Sequence, residues 1–538
     1  KEIAQIAACI GREFSYTLLA RVSALSDVAL IDALDQLSAA DLIQRDGMET
    51  ERTYLFKHAL VRDAAYDSLL KNVRRTYHTR ILEATEAEID TTPEFRAAHA
   101  EAAGLTDRAV DLWEAAGSAA MVRPAYQEAE THLRRAILLN APKVVSDDFK
   151  ATQKAIALNM KLFVALAPET GLWSDAVLNT LEEAMALAAK VGETPLLADI
   201  IYGLSMSNYF RGNLSISLAR ADELIAMSEA SSDIAQQLVA RRLAGMARLK
   251  MGQFVEAQTF LDEAEVLAER ADDGNLASRF GHDPIIGILI YQAFNLIFQA
   301  KTKSAWQYRI RADKRSELIT HTNTSCGTHS LFAVCSQAVN DHESERRHMS
   351  ILKDLVDTHA VTASQMWAEA SAALLQLDDG DPDGLAAFYD ADARMIDANV
   401  KLLVPGNRVV AARRAMKIGM FDDAQKLIQS AGQMMHETGE KSWLPDIYRL
   451  RAVLARRDGN VDIAEKNLKK AIETAQASSG VLWELRASID LAQLYTETDR
   501  KDQVISTIRP VFDKIGEGDC RREMAIAKDL MFSFIAAK

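Results

Sequence analysis

A beat of about forty residues runs through most of this chain, and it limits the fold more than any other feature. The turn-forming residues Gly171, Gly212, Gly252, Ala300, Asn340, Gly380, Gly419, Gly459 and Asp499 follow one another at steps of 41, 40, 48, 40, 40, 39, 40 and 40. Three units share a fuller pattern: Gly252, Phe254, Ala257, Leu261 and Ala264; Gly419, Phe421, Ala424, Ile428 and Ala431; Gly459, Val461, Ala464, Leu468 and Ala471. After each turn, small and apolar residues recur three to four apart, the spacing of one helix face. A turn on that beat divides the chain into helical hairpins. One hairpin leaves an apolar flank that the next must cover, so the expected fold is all-α, a right-handed solenoid with a concave and a convex surface. Two units are degenerate, with Thr302 at the apolar position and Asn340 at the turn, and the single step of 48 breaks the beat.

Composition agrees with helices. Only 10 prolines and 24 glycines punctuate 538 residues, too few breakers for an all-β chain. Hydrophobic residues make up 49%, enough for a large core. The net charge of −14 argues against bulk nucleic-acid binding, which needs a basic footprint. Four cysteines (Cys9, Cys326, Cys335 and Cys520) are too few for a disulfide scaffold and point to a reducing, cytoplasmic setting. The longest apolar run, Pro284 to Phe298, is too short to span a membrane and contains Gln292 and Asn295, so it is expected as a buried helix. No signal peptide is expected in this chain, which opens at Lys1 with its apolar pattern already running and is expected to be the C-terminal part of a longer protein.

The first hundred residues follow another plan. A helix is expected over Glu2 to Ile10, a second capped by Ser15 through Arg21, and a third from Ser26 or Asp27 to Ala40 with Leu30, Leu34 and Leu37 on one face. Leu42 to Gln44 and Tyr54 to Phe56, around a turn at Asp46-Gly47, suggest a small hairpin. Three helices and a two-stranded wing make a winged-helix pattern. A longer helix is expected from His58 into the basic stretch Lys71 to Arg80. The expected division is a winged-helix domain over 1–75, a helical linker over 76–103 and the solenoid over 104–538. At its start, Trp113, Ala116 and Gly117, followed by Tyr126, Ala129, Leu133 and Ala136, resemble the anchor residues of a tetratricopeptide repeat, with Ala116 replacing the usual Leu.

Two further segments carry a wider resemblance. Ile10-Gly11-Arg12-Glu13-Phe14-Ser15, followed by Phe56-Lys57-His58-Ala59-Leu60-Val61-Arg62-Asp63-Ala64-Ala65-Tyr66, resembles the C-terminal side of bacterial STAND-type signalling ATPases, above all those fused behind class III adenylate/guanylate cyclase domains. The turn Phe280-Gly281-His282-Asp283-Pro284 and the stretch Trp483 to Ala487, then Leu491-Ala492, are similar to segments of the same proteins. The resemblance implies a non-catalytic regulatory arm: a winged helix and a repeat sensor behind an ATPase and a cyclase. It implies no cofactor in this chain, ATP or ADP in the upstream domain, and an unknown protein or small-molecule ligand on the solenoid. Membrane and nucleic-acid partners are not expected. The chain has no Gly-x-x-x-x-Gly-Lys-Ser/Thr loop to cradle phosphates. In related switch ATPases a winged-helix His followed two residues on by Leu reaches the nucleotide's β-phosphate, and His58 with Leu60 matches that pattern. An imidazole at a helix N-terminus also suits an anion physically; the other reading of His58 is a structural bridge between the wing and the next helix. Two competing functions are the sensor arm of a LuxR-like large ATP-binding transcription regulator and a plain interaction scaffold.

Other clusters yield blander readings. The run Lys71, Arg74, Arg75, His78 and Arg80 follows the wing rather than lying on a groove-reading helix, and is expected as a solvated face or interdomain contact. Cys326, His329 and Cys335 match no closed zinc spacing. His342-Glu343 with His348 misses the spacing that would set two imidazoles one turn apart. His282-Asp283 has the makings of a base and its orienting acid, but the flanking Gly281 and Pro284 favour a turn. The six tryptophans are expected in the core, with one or two as binding anchors on the concave face.

Overall fold

All nine turn residues of the beat adopt left-handed backbone, with φ from 55° at Asp499 to 88° at Gly380. Glycine reaches this region without a Cβ penalty, and Asn and Asp tolerate it, which is why these types recur at the position that stops one helix and aims the next. Ala300 is the exception (φ 62°). The structure, a computed structural model, describes all residues except 47–51, 87–90, 193–194, 230, 272–273, 275, 320, 360 and 536–538. The described residues form 28 helices and three short strands, in two compact units, Lys1–Leu162 and Phe163–Lys538.

In the first unit the order is α1 (Glu2–Ile10), β1 (Glu13–Ser15), α2 (Tyr16–Val22), α3 (Asp27–Ala39), β2 (Ile43–Asp46) and β3 (Thr53–Phe56). Ser15 caps α2, its Oγ accepting from the Leu18 backbone N–H at 3.1 Å. Leu30 and Leu34 of α3 are fully buried. The strands pair antiparallel in the order β1-β3-β2, with Phe14 opposite Tyr54 and Ile43 opposite Phe56. The third strand, β1, was not expected: three residues are too few to show an alternating pattern. The turn expected at Gly47 lies outside the described residues. The long helix expected from His58 is two helices, α4 (Ala59–Asp67) and α5 (Lys71–Thr85). The chain breaks where Leu69 turns into the core, and Arg74 Nε satisfies the Leu69 carbonyl at 3.1 Å. Beyond lie α6 (Pro93–Ala103), α7 (Thr106–Val122) and α8 (Tyr126–Val145); Ala116, Tyr126, Ala129, Leu133 and Ala136 are all buried.

The second unit is a tetratricopeptide-like α-solenoid. Its hairpins pair an inner helix with an outer one, for example Ile234–Lys250 with Phe254–Ala268 and Val404–Lys417 with Phe421–Thr438. Outer helices bury one stripe, such as Ala257, Leu261 and Ala264, while inner helices are buried almost all round. That second property follows from the winding. The Phe210 carbonyl accepts from the Lys401 and Leu402 N–H groups, and the Lys250 carbonyl from those of Lys441 (2.8 Å) and Ser442 (3.2 Å). Helix ends of early hairpins are thus capped by loops far along the chain; Lys250 and Glu440, 190 residues apart, form a fully buried ion pair at 3.2 Å. The expected open concave face is therefore largely filled, because the inner helices carry apolar side chains on every side and meet one another. Pro284–Phe298 is one of them. No helix among the described residues is long and apolar enough to cross a membrane. The extra residues of the 48-step include a short helix, Leu276–Phe280, inserted between two hairpins.

Candidate functional site

Inside the second unit the inner helices leave a cavity of about 130 Å³. The helices Leu197–Phe210, Ile234–Lys250, Pro284–Phe298, Thr322–Val339, Thr362–Asp378 and Val404–Lys417 all contribute to its wall. Much of that wall is apolar, including Ile286, Ile290, Val334 and Leu403. Two of the tryptophans, Trp173 and Trp367, line it in an edge-to-face pair with ring centroids 6.0 Å apart. Gly171 makes room for the first: a Cβ there would stand 2.2 Å from the Trp173 indole. Trp173 Nε1 is buried and has no hydrogen-bond partner.

One charged group faces this space. Arg242 is 1% exposed and lines the cavity. Its guanidinium donates to Met246 Sδ (3.3 Å), Met206 Sδ (3.4 Å), Tyr202 Oη (3.4 Å) and His282 Nε2. Gly287 lets it lie close to the next inner helix, since a Cβ there would be 2.8 Å from Arg242 Nη1. Burial, reinforced by the positive charge of Arg242, holds the His282 imidazole well below its usual pKa and so neutral. All four acceptors are uncharged. Asp199 and Asp283 are engaged elsewhere: Asp199, in the first turn of Leu197–Phe210, takes two bonds from Arg279 (2.7 and 2.9 Å), and Asp283 takes Arg315 (2.8 Å) and caps Pro284–Phe298 through the Ile286 N–H (2.8 Å). The other deeply buried cations of the unit sit on acids, Lys250 on Glu440, Arg414 on Glu345 and Arg486 on Glu523.

The structure therefore separates His282 from Asp283. The motif is a turn, with the acid as helix cap and the imidazole turned to Arg242. Arg242 itself was missed by sequence reasoning; the one signal was the irregular step of 48, whose inserted residues bring Arg279 to Asp199 and lead directly into His282.

His58 lies in the first unit. It is the N-cap residue of α4, with extended backbone (φ −127°, ψ 132°), and its side chain makes no capping bond. His58 is exposed, Leu60 is 81% exposed, and α4 buries no residue. Of the basic run, Arg74 packs over the Tyr66 ring at 4.4 Å, while His78 is buried, with Nδ1 2.8 Å from His99 Nδ1 and Nε2 3.1 Å from Tyr66 Oη. Burial pushes His78 down to about 4 and, with the help of its neighbour's charge, His99 to about 3. In the second unit His329 and His348 approach to 3.0 Å between their Nδ1 atoms, and Cys326 and Cys335 are buried free thiols.

No known family's sequence profile matches the chain. An uncharacterized protein of Rhizobium meliloti, R02095, is 24% identical over 516 residues, a match covering 92% of this chain and 48% of that protein; the chain spans about half the length of this relative. Among solved structures it is similar to aspartyl phosphate phosphatase F from Bacillus subtilis (13% identity, 69% of this chain and 91% of that one, TM-score 0.40). It is also similar to the APC/C heterotetramer Cut9–Hcn1 (10% identity, 98% of each chain, TM-score 0.44). A third is PH0952 of Pyrococcus horikoshii, a signal transduction ATPase with numerous domains and a tetratricopeptide repeat sensor (12% identity, 99% of this chain and 62% of that one, TM-score 0.23). These likenesses are of fold alone.

Proposed function

We propose that the chain is a regulatory arm, in which the second unit receives a signal and the first passes it to an ATPase domain preceding it in the intact protein. The observation that carries the receptor role is the cavity. Six inner helices from successive hairpins border one space, so an occupant touches them all and biases how they pack. Such an occupant shifts an equilibrium only by its difference in affinity for two arrangements. Helix, strand, two helices and two strands, with the sheet order β1-β3-β2, support a winged-helix reading of the first segment. An exposed imidazole at the start of α4, with exposed Leu60 beside it, supports His58 as the group that contacts a nucleotide phosphate in the neighbouring domain. Control of a class III adenylate/guanylate cyclase further upstream is the output we propose, on the resemblance of the Ile10 to Ser15 and Phe56 to Tyr66 segments.

The test uses the intact natural protein. His58→Ala should speed exchange of the bound ADP by about tenfold, the loss of one charge-assisted phosphate contact. Exchange equal to wild type would remove His58 from the switch.

A further inference from the structure

We propose that the cavity is a receptor site for a small organic monocarboxylate, with the Arg242 guanidinium as its anchor. The ligand class builds on the receptor reading of the second unit, and is independent of what the first unit contacts.

Charge is the first ground. A guanidinium at 1% exposure is costly to bury without a counter-ion. Lys250, Arg414 and Arg486 solve this with internal carboxylates, whereas Arg242 has only two thioethers, a phenol and a neutral imidazole. None of these supplies a negative charge, so the cavity is where a compensating anion fits. Trp173, whose Nε1 is an unpartnered donor, lines the same space.

Size and lining select the kind of anion. The volume of about 130 Å³ is close to that of a cavity that holds benzene, so the body of the ligand has about six heavy atoms. Ile286, Ile290, Val334, Leu403 and the two indoles would desolvate an apolar body. One cation balances one negative charge; a phosphate dianion would bring a second charge and a full hydration shell into an apolar space. A neutral hydrocarbon would leave the guanidinium uncompensated. A flat or short-chain carboxylic acid in its ionised form satisfies each condition, as benzoate or hexanoate does.

The experiment titrates the full chain by calorimetry and by tryptophan fluorescence. The probes are benzoate and hexanoate, with benzamide and inorganic phosphate as controls. Benzoate or hexanoate should bind one per chain, change the fluorescence of Trp173 and Trp367, and raise the melting temperature. Benzamide, the same shape without the charge, should bind at least about tenfold more weakly, and so should phosphate. Arg242→Met removes the charge at similar length; it should melt no lower than wild type, because an uncompensated buried cation is gone, and should bind benzoate at least about tenfold more weakly. The benzoate–benzamide comparison in wild type decides the question even if that variant does not fold. Binding of neither carboxylate up to about 10 mM, equal affinity for benzamide or phosphate, or undiminished binding by Arg242→Met would each overturn the site. A carboxylate that binds yet leaves nucleotide exchange of the intact protein unchanged would count against the regulatory arm and leave the site standing.

Discussion

Lys250 and Glu440 hold successive windings of the solenoid together, and their contribution can be worked out from their surroundings. Both side chains are fully buried, with Nζ 3.2 Å from Oε1. Oε1 also accepts from Ser442 Oγ at 2.9 Å, Oε2 has no partner, and the ammonium lies 5.1 Å from the centre of the Phe294 ring. Lys250→Met would leave a carboxylate in the interior with one hydroxyl as its only hydrogen-bond donor. Removing one partner of such a pair costs about 3–5 kcal/mol. The double variant Lys250→Met/Glu440→Met removes both charges and strands only the Ser442 hydroxyl, a loss of about 1–2 kcal/mol. The double variant should thus be more stable than the single one by about 1–4 kcal/mol, the difference between these two costs. Urea denaturation of the full chain, followed by circular dichroism, measures both. A single variant within about 1 kcal/mol of wild type, or a double variant less stable than the single one, would refute the claim that this pair joins the windings.

Two more perturbations test the physics of the turns and of the buried histidines. Gly212 and Gly419 both adopt left-handed backbone (φ 78° and 85°), but a Cβ at 212 would lie 2.6 Å from Thr438 Cγ2, while nothing lies within 4 Å of one at 419. Gly419→Ala should therefore cost about 1–2 kcal/mol in thermal denaturation, the left-handed penalty alone, and Gly212→Ala about 1–3 kcal/mol more through the clash; equal costs would contradict the packing of the windings. His78 and His99 have folded pKa values of about 4 and about 3, below the unfolded value of about 6.5. The unfolded chain then takes up protons first as the pH drops, so their contribution is complete above about pH 6.5 and about 3 kcal/mol of it is lost for each ring between there and about pH 4. Imidazole resonances followed by NMR should show neither ring titrating above about pH 5, and a midpoint near 6.5 for either would refute the burial argument.

What could be read from the sequence is what local chemistry decides. At each turn of the beat the residue in left-handed backbone is Gly, Asn, Asp or, at a cost, Ala300, so the beat announces the turns one by one. Ser15 as a cap, and the stripe Ala257, Leu261 and Ala264, follow from hydrogen bonds and contacts within a few residues. β1 escaped because its three residues gain their place only from pairing with β3. The winding of the solenoid escaped because its contacts join residues some 190 apart; until Glu440 is beside it, Lys250 looks like any solvated lysine at the end of a helix.

Arg242 escaped for a related reason, and that reason bears on its role. It follows Arg241, whose side chain reaches outward to Glu263 at 3.0 Å, and about 100° of helical rotation separates the two. Sequence alone cannot assign the inward face when nearly every face of Ile234–Lys250 is buried. The beat does falter at one place, however, and departures from local regularity tend to mark function. The inserted helix Leu276–Phe280 carries Arg279 onto Asp199 and Asp233, so both acids are paired with a guanidinium other than that of Arg242. The polar residues left on the cavity wall, among them Thr328, Ser364, Ser371 and Asn407, are all uncharged. A glutamate or aspartate at any one of them within reach of the guanidinium would have completed a core ion pair of the kind this unit builds elsewhere. Asp199, Asp233 and Asp283 are bound to other arginines and the rest of the wall is uncharged, so the negative charge that Arg242 needs has to arrive from outside.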